Sequence, residues 1–201
     1  MISSNPAYTH GHDKINLKGY LFDARGAVDL GPTNIHVKGI YASGDGKADF
    51  AKTGDDWAFF VPGYSNNVGG SINNFDQANW AEIMGCGMFD YQFPSGSLGT
   101  QISNAIIGGV GASYKLIQDL KFSADVWYAQ AADSIYMPTT KTNSDYYGTE
   151  LDLKVTYMLV DNLKLDLVGA YLWAGDVISK STSATNSANP IEIGAQMSLA
   201  F

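Results

Sequence analysis

From Ile191 to the last residue, apolar and polar positions alternate without a break. Ile191, Ile193, Ala195, Met197, Leu199 and Phe201 fall on one side, and Glu192, Gly194, Gln196, Ser198 and Ala200 on the other. A period of two marks a strand, because successive side chains of extended backbone point to opposite faces. The pattern recurs upstream as hairpins. From Gly148 to Ala174, two strands flank a Val160-Asp161-Asn162 turn, with Leu151, Leu153, Val155, Tyr157 and Leu159, then Leu163, Leu165, Leu167, Gly169, Tyr171 and Trp173, on one face. From Ala105 to Gln130, Ile106, Gly108, Val110, Ala112, Tyr114 and Leu116 precede an Ile117-Gln118-Asp119 turn, and Leu120, Phe122, Ala124, Val126 and Tyr128 follow it. A third pair, from Lys14 to Ala42 around Gly31-Pro32, carries Tyr20, Phe22, Ala24, Val28 and Leu30, then Ile35, Val37 and Tyr41.

Soluble sandwiches alternate in the same way, so three further features decide the setting. The alternating segments reach about 10 residues, the length of a tilted membrane strand, against about 5–6 for a globular one. Aromatics cluster near strand ends, where interfacial girdles are expected. Short turns alternate with long connections at 44–103, 131–145 and 175–190, the asymmetry of periplasmic turns and extracellular loops. The fold expected is therefore all-β: an antiparallel up-and-down transmembrane β-barrel domain over 1–201, seen as a C-terminal portion of about seven spanning strands. Bacterial single-chain barrels have even strand numbers, so one or more N-terminal strands are expected outside this chain. Residues 44–103 are expected to form a long extracellular loop, folded back as a constriction or cap, with 57–61 and 81–93 pairing as a hairpin.

Composition sharpens this picture. The chain is 45% hydrophobic, yet its mean hydropathy is only −0.09, as expected when apolar residues are interleaved rather than clustered. No apolar run approaches the roughly 18 residues of a spanning helix. A net charge of −8 and a pI near 4.6 exclude nucleic acid as a partner, since phosphate neutralisation needs a basic surface. The single Cys86 can form no internal disulfide. The first ten residues lack the basic start and apolar core of a secretory signal.

The stretches Tyr147-Gly148-Thr149-Glu150-Leu151-Asp152-Leu153-Lys154, Asp161-Asn162-Leu163-Lys164-Leu165-Asp166 and Ala170-Tyr171-Leu172-Trp173-Ala174-Gly175-Asp176 resemble the closing hairpin of porin-like outer-membrane proteins related to the alginate-export type. The resemblance covers roughly the last 100 residues. It implies a barrel, export or diffusion of solutes, and a pore lined with abundant Arg and Lys. That lining is absent here. The terminal Phe201 resembles the aromatic signal read by the barrel assembly machinery.

The residues opposite the apolar set are the candidate pore lining: Asp23, Arg25, Asp29, His36, Lys38, Lys115, Asp125, Glu150, Asp152, Lys154, Asp166 and Glu192. Mixed charge in a wet lumen sets a transverse field that orients hydrated solutes. Asp45, Asp49, Asp55 and Asp56 make an acidic outer mouth that favours cations. Gly44-Asp45-Gly46-Lys47-Ala48-Asp49 has part of a calcium-loop pattern but lacks the remaining ligands and the closing Glu, so calcium is a minor alternative to no cofactor. His10 and His12 read as solvated histidines rather than a metal pair. No phosphate loop, Cys-x-x-Cys or His-Glu-x-x-His is present. A Ser–His–acid hydrolase on the wall would depend on His36, near the periplasmic end, so no enzymatic role is expected. The partners expected are outer-membrane lipid and small hydrophilic solutes. The alternative is a structural or adhesive barrel with a plugged lumen, whose loops bind a partner.

Overall fold

The computed structural model describes residues 16–44, 55–57, 80–85, 103–137, 140–180 and 189–201. One antiparallel sheet dominates, in strict up-and-down order: β1 (Leu21–Leu30), β2 (Thr33–Ala42), β3 (Ala105–Ile117), β4 (Leu120–Met137), β5 (Thr142–Val160), β6 (Leu163–Ala174) and β7 (Ile191–Leu199). A four-residue helix, α1 (Asp176–Ser179), follows β6. Asn16–Leu17 and Asp55–Asp56 form a separate short parallel pair. Among the described strands, β1 is bonded only to β2 and β7 only to β6, so the sheet is open, with two edges running in the same direction.

The register preserves the alternation read from the sequence. Phe22 pairs with Tyr41, Val110 with Val126, Leu153 with Gly169, and Gly169 with Ile193, all on the apolar face. That face is the exposed one: Phe22, Val37, Val110, Leu153, Ile193 and Met197 are each at least half exposed. The opposite face carries the charged positions and is concealed over part of its area. The three tight turns lie at one end of the sheet and the long excursions at the other, here called the turn end and the loop end. Gly31 takes φ +64°, a left-handed conformation that glycine adopts without steric cost, and so closes the β1–β2 turn.

Two expectations are corrected. The connection at 131–145 is mostly strand, because β4 and β5 continue past the apolar band and pair Ile135 with Ser144, Tyr136 with Asn143 and Met137 with Thr142. Register irregularities between Ala129 and Ile135, and the polar Thr142-Asn143-Ser144-Asp145 run, break the two-residue alternation there, although the backbone hydrogen bonding continues. Residues 81–85 form bends and turns rather than the expected strand. Phe201 is exposed just beyond β7.

The long excursion leaves and returns at one point of the rim. Asn104, in the left-handed conformation that Asn tolerates (φ 50°), donates its backbone N–H to the Ser43 carbonyl at 3.1 Å. Its side-chain amide donates to the Asp133 carbonyl at 3.0 Å and accepts from the Asp133 N–H at 2.7 Å. Tyr147 donates its hydroxyl to the Asn104 carbonyl at 3.2 Å. A side chain at Gly44 would collide with the Asn104 amide, which explains a glycine beside this junction.

Candidate functional site

Part of the excursion, Trp80–Gly85, lies as a strap against the charged face, here called the inner face. Trp80, Ala81 and Met84 are buried there together with Ile40, Ile107, Trp127 and Leu172. Trp80 meets Trp127 edge to face, with ring centroids 5.6 Å apart and planes at 71°, a favoured aromatic arrangement. Trp127 can lie flat because its neighbour in register is Gly109, where any side chain would overlap the indole. Gly85 closes the strap, and a Cβ there would strike the Ala81 backbone.

Polar contacts complete the attachment. The Ile83 N–H donates to Glu150 Oε1 at 2.6 Å, the Met84 N–H to Glu150 Oε2 at 2.8 Å, and the Glu82 N–H to Asp152 Oδ2 at 3.2 Å. Glu150 is 0% exposed. A carboxylate out of water is costly unless donors replace its hydration, and two charge-assisted backbone bonds do so here. Glu192 shares a row with Asp152 through Ala170, so wall and strap together gather Glu150, Asp152, Glu192 and Glu82.

Across the sheet from these acids lie the bases. Arg25 is paired in register with Lys38, which follows through Gly109 and Trp127 to Glu150, so one row has cations at the β1–β2 side and a carboxylate at β5. Arg25 also contacts Asp23 at 3.0 Å, with Lys38 3.9 Å from the same carboxylate. In the next row, His36 reaches across Gly111 to Asp125, Nε2 to Oδ1 at 2.5 Å, while its Nδ1 meets Asn34 Oδ1 at 3.1 Å. A Cβ at Gly111 would occupy the space of both side chains. Both ring nitrogens of His36 are thus engaged by side chains of the sheet.

Toward the turn end lie Asp29, bonded to the Asn34 amide at 2.8 Å, and Lys115, Lys154 and Asp166. Buried Asp166 accepts from Thr156 Oγ1 at 2.6 Å and pairs with Lys164 at 2.8 Å.

All twelve residues singled out as lining therefore share the inner face, but Glu150, Asp152 and Asp166 are buried. A folded-back excursion was expected, but not its anchors: Trp80, Ala81 and Met84 have no periodicity, and their only signal is an apolar cluster within a polar excursion. Asp45, Asp49, Cys86, His10 and His12 lie outside the described residues. Asp55 and Asp56 lie in the short parallel pair. No group of three or more potential metal ligands occurs among the described residues. Comparison with known family models and with curated proteins gives no match.

Proposed function

We propose that these seven strands form wall of an outer-membrane, porin-like channel for passive diffusion of small hydrophilic solutes or ions. The observation that carries this reading is the opposition of the two faces. An apolar outer surface is bounded at the loop end by Tyr20, Phe22, Tyr41, Tyr128, Tyr171 and Trp173, and at the turn end by Tyr114, Phe122, Tyr157 and Phe201. The step from the Thr149–Trp173 pair to the Tyr157–Leu165 pair is about 27 Å along the strand, or about 20 Å along the normal of a membrane at a tilt near 40°, close to the apolar band of barrel proteins. A water-soluble sheet with this much exposed apolar area would aggregate. Lipid removes that cost, and the charged inner face then lines an aqueous path, with the turn end periplasmic and the loop end outside.

The strap favours a second reading, a structural or adhesive barrel whose lumen is plugged. Planar-bilayer recording of the protein reconstituted in lipid separates the two. Stepwise conductance with a cation-preferring reversal potential supports the channel, and anion preference contradicts the expected acidic mouth. A silent, fully inserted protein supports the plugged barrel.

A further inference from the structure

We infer that Glu150 is a positioning residue that clamps the Trp80–Gly85 strap to the inner wall, and that the strap so held obstructs the channel. The inference rests on the channel reading above. Its chemistry is local. Two consecutive backbone N–H groups, of Ile83 and Met84, converge on the two oxygens of a single buried carboxylate at 2.6 and 2.8 Å. Successive N–H groups of a turn form a small anion-binding concavity, and a carboxylate supplies an acceptor to each. A glutamine would accept one bond and turn its own N–H donors toward the other.

The remaining contacts fix the direction of the strap without replacing the clamp. Trp80 packs on Trp127, and Asp152 takes the Glu82 N–H at the longer distance of 3.2 Å. The Asn104 junction ties Ser43, Asn104 and Asp133 together at the rim. The strap also carries Glu82 onto the wall beside Asp152. Clamping therefore fixes a carboxylate over the negative side of the wall, opposite the Arg25–Lys38 side, and sets both the clearance and the charge that a solute meets.

The test compares the full chain with Glu150→Ala, Glu150→Gln and Ile83→Pro in lipid. Ile83→Pro deletes one donor from the strap side and leaves the wall untouched, so it guards against a folding defect from altering a buried wall residue. In the wild type, the Ile83 and Met84 amides are protected from hydrogen exchange. Glu150→Ala lowers that protection by about tenfold or more, as loss of charge-assisted bonds requires, with Glu150→Gln between the two. Ile83→Pro lowers protection at Met84. Unitary conductance rises about twofold or more in Glu150→Ala and Ile83→Pro, because an unobstructed pore passes more current. Amides that exchange equally in wild type and Glu150→Ala overturn the clamp. Amides that respond while a conducting protein keeps its conductance overturn the obstruction. If wild type and all variants are silent, the channel reading has failed and the exchange data alone decide the clamp.

Discussion

The outer and inner faces of this sheet come from the same seven strands, yet they are organised by different physics. Outward residues are chemically uniform, and their neighbours in register are other apolar side chains, so each contributes by contact with whatever surrounds the sheet. Inward residues are graded. At the loop end Ile40, Ala42, Ala105, Ala129 and Leu172 are buried under the strap and α1, the middle rows hold opposed charges, and toward the turn end Lys115 is open. Alternation assigns a residue to a face, whereas the partner across the space above that face decides its role.

Four substitutions probe this contrast. The largest effect is expected for Trp127→Ala on the inner face, where removal of a buried indole costs about 3–5 kcal/mol and frees Trp80 from its ring partner. Denaturant titration in lipid measures it, and a cost below about 1 kcal/mol would mean that the covered half is not a core. Leu153→Arg comes next. Leu153 lies midway between the aromatic belts and is 52% exposed, so a charge there costs about 2–4 kcal/mol in a bilayer. Gln196→Arg, on the inner side of β7, changes stability by about 0.5 kcal/mol or less. Equal effects at Leu153 and Gln196 would erase the distinction between the faces. Gly111→Ala falls between those two, at about 1–3 kcal/mol from overpacking against Asp125 and His36. If the His36 and Asp125 resonances are unshifted in that variant, their contact across Gly111 is not formed.

Strand faces were legible in the sequence because each depends only on neighbours two positions apart. Thus Leu151, Leu153 and Val155, and opposite them Glu150, Asp152 and Lys154, could be placed before any coordinate was known. The extension of β4 and β5 through Ile135 and Ser144 was not legible, because ladder bonds hold polar residues as readily as apolar ones and leave no periodic trace. The attachment of the strap was hidden for a related reason. Its anchors are backbone N–H groups of Ile83 and Met84, which every sequence offers, and their acceptor Glu150 is remote in the chain. Glu150 could be recognised as inward-facing but not as covered. Gly109 and Gly111 place no side chain on the inner face, and so clear the space for Trp127 and for the His36–Asp125 contact.

The like sense of β1 and β7 has a consequence for assembly. In a meander whose first and last strands ascend together, a complement that joins both free borders by antiparallel ladders must contain an odd count of strands. Two such meanders in one membrane orientation, joined directly border to border, would instead meet through parallel seams. Strand direction alone thus restricts which molecular partners can complete a hydrogen-bonded ring with this one.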